Sequence, residues 1–166
     1  MDGKHFSKKI KDTIEIVSHD FFYIKQDINK ECVCINHTTK QEDKICPHCL
    51  NTGHKITIKK IRGFFYEETK SGQGMRAEQT RVIRNYFIPD TTIDFHTGDY
   101  FIDSGEVYYI YRPNNFRGVG FIETHQEVLT AFQQNNQKKL LNTFNEILLS
   151  KVKDYKALKE KFPWLK

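Results

Sequence analysis

Four cysteines are the residues whose type and spacing could support chemistry in this chain of 166 residues. They are Cys32 and Cys34, separated by one residue, and Cys46 and Cys49, separated by two. Thiolates are soft ligands, and four of them suit the tetrahedral coordination that Zn²⁺ prefers. A complete set of thiolates leaves no open coordination position, so we expect a structural zinc ion and not a catalytic one.

The second cysteine pair has the pattern of a zinc knuckle, because Gly53 follows it closely. The first pair is tighter than the usual Cys-x-x-Cys. A mixed site is therefore an alternative, with His37, His48 or His54 replacing one cysteine. Free buried cysteines are the remaining reading. An iron–sulfur cluster also uses cysteine ligands, but no other feature indicates redox chemistry.

Other polar residues predict no active site. The seven histidines are scattered, and none has the spacing of a metalloprotease motif. Gly72-Gln73-Gly74 lacks the strand–loop–helix context of a phosphate-binding loop. Basic residues recur on two predicted strands and are interpreted as a solvated sheet face: Lys59, Lys60, Arg62, Arg76, Arg81 and Arg84. We expect no enzyme.

Composition predicts one compact domain that is not secreted. Thirteen Phe and eight Tyr supply enough apolar surface for a core, and the net charge of +5 is too small to demonstrate nucleic-acid binding. No apolar run approaches the roughly 20 residues of a membrane helix, and the first residues lack a signal-peptide pattern. Cysteines clustered in a reducing compartment favour metal over disulfides.

The amino-terminal half predicts a helix followed by strands. Apolar residues recur at helical spacing in 5–17, which predicts a helix. Residues 21–24 are aromatic and β-prone, and in 55–61 apolar residues alternate with polar ones apart from one slip, so both segments are predicted strands. Residues 64–67 continue that strand or begin another. Residues 68–80 are polar and contain two glycines, so we predict a long flexible loop.

The central part predicts a strand, a turn and a hairpin. Residues 81–89 read as a strand that Pro89 ends, and Gly98 supplies a positive φ in the turn that follows. Two β-rich runs flank Ser104-Gly105, which makes this the clearest hairpin in the chain. Residues 116–124 could add a last short strand.

From about Gln126 the spacing of apolar residues predicts a long carboxy-terminal helix. Its stripe recurs every three or four residues and comprises Val128, Leu129, Phe132, Leu140, Leu141, Phe144, Ile147, Leu148, Val152, Tyr155 and Leu158. A continuous helix would be roughly 50 Å long, which exceeds the width of a small barrel. The alternative is a break at Asn135-Asn136 that folds the helix back onto its own barrel.

The stretch from Tyr86 to Tyr111 resembles the small β-barrel head–tail connector proteins of tailed bacteriophages, the stopper or head-closure proteins of the neck. The matching positions are Gly98, Asp99, Ser104, Gly105, Tyr108 and Ile110. The resemblance covers about residues 55–122. It does not include the cysteine segment or the carboxy-terminal helix, which look like additions to the barrel.

The resemblance implies a structural protein of the virion neck that forms a ring between the portal and the tail. Its implied partners are copies of itself, portal or adaptor proteins, tail proteins and DNA passing through the channel, with no membrane. The family has a channel-facing loop at the place of 68–80, here represented by Lys70, Ser71, Gly72, Gln73, Gly74 and Arg76. The helix overhang predicts a subunit interface at Leu141, Phe144, Leu148 and Val152.

The predicted fold is therefore α+β, with a small antiparallel β-barrel core, a zinc-knuckle insertion and a long carboxy-terminal helix. The units are an amino-terminal helix and strand (1–30), the knuckle (31–54), the barrel (55–124) and the helical segment (125–166). The alternative is that the chain is a zinc-ribbon regulatory protein that binds nucleic acid.

Overall fold

The computed structural model describes residues 3–34, 45–70, 81–119, 122–132 and 136–165. These residues form three helices and six strands. In chain order they are α1 (Gly3–Val17), β1 (His19–Glu31), β2 (His54–Lys70), β3 (Arg81–Ile88), β4 (Tyr100–Asp103), β5 (Glu106–Val119), β6 (Ile122–Phe132), α2 (Gln137–Lys151) and α3 (Tyr155–Lys161).

The six strands close into an antiparallel barrel in the order β1-β2-β3-β6-β5-β4. This confirms the predicted α+β barrel. The barrel draws its strands from His19 to Phe132, so it is wider in sequence than the predicted 55–124. Ser104 and Gly105 both adopt positive φ between β4 and β5, as the predicted hairpin requires.

Strand β2 belongs to two pairings in succession. Its first part pairs with β1 up to Gly63, and the rest pairs with β3 from Phe64 onward. Gly63 permits this change of partner strand, because a Cβ atom there would lie 2.8 Å from the carbonyl oxygen of Phe87. A side chain at that position would force the two strands apart.

The segment 89–99 crosses one end of the barrel, because β3 and β4 lie on opposite sides of the ring of strands. Phe95 is buried against Tyr23, with ring centroids 4.8 Å apart. The buried Gln126 amide donates to the carbonyl oxygens of Asp90 and Ile93 at 2.6 and 3.0 Å. Gly98 has a φ of 94°, which confirms the predicted turn.

The sequence FFYI of β1 is buried on both faces and separates two cores. Phe21 and Tyr23 belong to the barrel interior, with Ile61, Tyr86, Ile88, Phe95, Phe101, Tyr108, Ile110 and Val128. Phe22 and Ile24 belong to an outer core, with Leu50, Ile56, Ile102, Val107, Leu140, Phe144, Ile147, Leu148, Phe162 and Leu165. The slip in the alternation of β2 has the same cause, because Ile56 faces the outer core and Ile61 the interior.

The predicted helix beginning near Gln126 is wrong for residues 126–132, which belong to β6. Asn136 adopts a left-handed conformation before α2, so the helix begins after the asparagine pair. The single long helix is also wrong. It ends at Lys151, and the Asp154 side chain accepts a hydrogen bond from the Ala157 backbone amide to start α3.

Within the described ranges, the helices are too short or too polar for any of them to cross a membrane.

Candidate metal centre

The cysteines lie at the tip of the β1–β2 hairpin. Cys32 directly follows β1, and Cys46 and Cys49 lie in the turn that precedes β2. The Cys32 backbone amide donates to the Gly53 carbonyl oxygen at 2.8 Å, which closes the loop at its base. Antiparallel pairing of the two strands therefore brings both cysteine pairs to one place.

The turn after Cys46 has the backbone of a metal knuckle. The Leu50 amide donates to the Cys46 carbonyl oxygen at 2.9 Å, and the Cys46 amide donates to Asn51 Oδ1 at 3.0 Å. Leu50, Asn51 and Gly53 all have positive φ, so the chain turns sharply back toward the sulfurs. The Gly53 amide hydrogen-bonds Cys49, and such a bond stabilises the thiolate form of the cysteine.

The four sulfurs are spaced for one metal ion. Sγ of Cys32 lies 3.8 Å from that of Cys46, and Sγ of Cys34 lies 3.4 Å from that of Cys49. All four lie within 4.8 Å of one another, and no pair is a disulfide. Metal–sulfur bonds of about 2.3 Å in a tetrahedron place the sulfurs about 3.8 Å apart, so the donor set fits.

Electrostatics at the site call for a cation. Burial and the neighbouring sulfurs raise the pKa of the Cys34 thiol, and burial raises that of Cys49. At Cys32 hydrogen bonds from the other cysteines outweigh burial and lower the pKa. Four thiolates at these distances repel one another. A divalent cation among them would reverse this balance, because a coordinating thiol loses its proton.

The described histidines are not part of the sulfur group. His48 is exposed, and neither it nor His54 lies within the cluster of potential ligands. His37, the third candidate for a mixed site, lies outside the described residues. The four-cysteine reading is therefore the one that the geometry favours.

The knuckle is packed against the outer core. Leu50 is buried there, and Ile45 packs against the same cluster. Pro47 and His48 border a small groove whose other wall is α2, through Ile147 and Ser150. The site thus connects the hairpin tip to the carboxy-terminal helix, as suits a metal ion with a structural role.

The residues predicted as an interface pack within the chain. Phe144 and Leu148 are 0% and 2% exposed, and Leu141 and Val152 are partly buried against the same outer core. At 15 residues α2 is only about 22 Å long. The overhang that motivated the interface is absent from the described residues, and the interface itself stays untested.

The predicted channel loop falls mostly beyond the structure. Lys70 ends β2, whereas Ser71, Gly72, Gln73, Gly74 and Arg76 lie outside the described residues.

The sequence patterns did not predict a buried charged network at one end of the barrel. The interpretation of Arg84 as part of a solvated sheet face was wrong, because Arg84 is buried. Its guanidinium lies between the rings of Phe65 and Tyr108, at 4.0 and 4.2 Å. It also donates to the carboxylates of Glu67 and Glu106 at 2.9 and 3.1 Å. Arg84 lies at a spacing of two from Tyr86 and Ile88, which face inward on β3. Because side chains at this spacing share one face of a strand, the sequence did contain a signal that Arg84 faces inward.

Asp103 is the buried acid of this network. His19 Nε2 lies 3.0 Å from its carboxylate, and the Tyr86 hydroxyl donates to it at 2.9 Å. Burial alone would raise the pKa of Asp103. The hydrogen bonds and charge of His19, with hydrogen bonds from Tyr86 and Ser104, hold that pKa below its ordinary value.

Comparison of the sequence with protein-family models and with curated proteins found no match.

Proposed function

We propose that the chain is a zinc-stapled structural protein of the head–tail connector of a tailed bacteriophage, where copies form a ring between the portal and the tail. The observation that carries the proposal concerns the segment that bears the resemblance, Tyr86–Tyr111. It forms a strand, a turn with positive φ at Gly98, and a tight hairpin within a closed six-stranded barrel. These are the features that the resemblance implies.

The proposed metal is Zn²⁺ in a structural role. Four sulfurs at tetrahedral spacing match its preference. Leu50 and Ile45 of the knuckle pack against the outer core, so the ion would stabilise the fold there. Metal analysis of protein purified without added metal should find one zinc per chain. Iron with a visible charge-transfer spectrum, or four freely reactive thiols without metal, would contradict this assignment.

Ring contacts need an exposed apolar surface that differs from the buried stripe of α2. Helix α1 carries individual exposed apolar side chains: Ile16 is 80% exposed, Val17 is 54% exposed and Phe6 is 47% exposed. Head-to-tail contacts close into a ring when the rotation per subunit divides a full turn. We place one side of the subunit contact on the exposed apolar residues of α1.

The oligomeric state of the purified protein tests the proposal. Native mass spectrometry over a range of concentrations should show one closed species of fixed copy number, and electron microscopy should show a ring with a central channel. Monomers at every concentration, combined with strongly salt-dependent binding to naked DNA, would contradict it and favour the zinc-ribbon regulator.

A further inference from the structure

One edge of β2 has no partner strand among the described residues. Its first part, Lys55 to Gly63, pairs with β1 on one side, and the pairing with β3 begins only at Phe64. In an antiparallel pair, alternate residues direct their backbone NH and CO groups away from the partner strand. The stretch from Lys55 to Arg62 therefore presents a row of backbone donors and acceptors.

This free edge borders a groove of about 540 Å³. The opposite wall is the first part of the segment that crosses the barrel end, from Pro89 to Asp94, and Ile61 and Ile93 supply apolar surface. The groove is therefore a trough beside a strand edge, with room for another extended chain.

The groove carries an excess of positive charge. Its cations are Lys25, Lys59, Lys60 and Arg62, and its carboxylates are Asp20, Asp90 and Asp94. Among the lining residues the cations thus outnumber the carboxylates four to three.

The carboxylates of the groove are already engaged. Asp20 accepts both Lys60 and Lys161, Asp90 accepts the backbone amide and hydroxyl of Thr92, and Asp94 pairs with His96. None of these contacts joins a carboxylate to Lys25, Lys59 or Arg62.

Three cations of the groove have no carboxylate partner in these contacts. Lys25 and Arg62 donate to the carbonyl oxygens of Asp94 and Ser18, which are neutral acceptors. Lys59 is exposed and has no ion pair among the described residues. These three cations lie beside the free backbone edge.

We infer that the β2 edge and its groove bind an extended acidic peptide segment of a partner protein as an added β-strand. Main-chain hydrogen bonds to β2 would supply affinity, and acidic side chains facing Lys25, Lys59 and Arg62 would supply specificity. A nucleic acid fits less well, because it cannot continue the backbone hydrogen-bond ladder of β2. This inference does not rest on the connector function.

Lysines on an edge strand can also prevent the strand from pairing with another chain. Binding of a synthetic peptide distinguishes this protective role from the proposed recognition of an acidic strand. The probe is a fluorescein-labelled peptide with the sequence Glu-Val-Glu-Val-Glu-Val, measured by fluorescence anisotropy with the full chain. Binding should be saturable, and amide hydrogen exchange of residues 57–62 should slow on binding. The same peptide with Lys in place of Glu should not bind.

Substitutions then separate a strand from a loose charge contact. Lys59→Glu should weaken binding at least about tenfold. Lys138→Glu is the matched control, because it makes the same charge change on the exposed face of α2 and should leave binding unchanged. Methylation of alternate peptide nitrogens should abolish binding, since it removes donors without altering charge.

The inference is overturned if the acidic peptide does not bind, or if it binds equally well to the Lys59→Glu protein. It is also overturned if the methylated peptide binds normally, or if labelled oligothymidylate occupies the groove and the peptide does not.

Discussion

Phe22 of β1 and Phe144 of α2 meet edge to face, with ring centroids 5.2 Å apart. Phe162 and Trp164 lie on the same Phe22 ring, at 4.9 and 6.0 Å. The outer face of β1 is therefore covered by the carboxy-terminal segment of its own chain. This contact makes α2 part of the monomer's core.

The first prediction concerns that core. Phe144→Ala should lower the free energy of unfolding by about 3–5 kcal/mol, because it removes a fully buried ring and leaves a cavity. Leu149→Ala, on the same helix but 49% exposed, should change it by less than about 0.5 kcal/mol. Urea denaturation measures both. Equal stability of Phe144→Ala and the wild type would show that α2 does not pack as described.

The second prediction concerns the metal knuckle. Cys46→Ser should lose the bound metal, because a hydroxyl is a poor replacement for a thiolate ligand. Amides 49–53 should then exchange faster with solvent, and the effect should reach Ile147 through Leu50 in the outer core. The hairpin at 100–111 should keep its protection.

Metal analysis and hydrogen exchange with mass spectrometry report these changes, and Ser150→Ala on the neighbouring face of α2 is a control that leaves the ligands intact. Full metal retention by Cys46→Ser would contradict the four-cysteine assignment.

The third prediction is a pH dependence caused by Asp103. Its folded-state pKa is lowered from 3.8. The ionised group therefore contributes stability above about that pH and loses it as the pH falls through the folded-state pKa. Asp103→Asn should cost about 3 kcal/mol at pH 7, because it leaves His19 and Arg84 without their buried acid.

The gap in stability between the wild type and Asp103→Asn should narrow as the pH falls below about 3.8. Urea titrations at several pH values measure it, and Asp12→Asn on the exposed side of α1 serves as the control. A gap that stays constant down to pH 2.5 would mean that Asp103 is not held ionised by its partners.

Local rules predicted the elements whose signals lie close together in the chain. The hairpin followed from Ser104-Gly105 between β-rich runs, and the metal site from two cysteine pairs. Strand β6 was mistaken for a helix because its inward face is largely polar. Gln126 and Thr130 are fully buried, and the Thr130 hydroxyl donates to the Arg84 carbonyl oxygen at 3.1 Å. Hydrophobic alternation could not reveal such a strand.

The boundary between β6 and α2 could not be predicted from the spacing of apolar residues. Val128 and Phe132 fit a spacing of four as well as an alternation of two, so the apolar stripe continued into β6 without a visible break. Helix α3 was not predicted as a separate helix, although the Asp154 side chain caps its start. The partner of the stripe could not be predicted, because the outer face of β1 joins it only through long-range packing.

The central claim is most directly tested by the mass of the assembled species formed by the wild type and by Ile16→Asp, compared by native mass spectrometry. The wild type should form a closed ring. Ile16→Asp should give a folded monomer of wild-type thermal stability, because Ile16 is 80% exposed on α1. A wild-type protein that stays monomeric, or an Ile16→Asp protein that assembles normally, would contradict the ring contact on which the account depends.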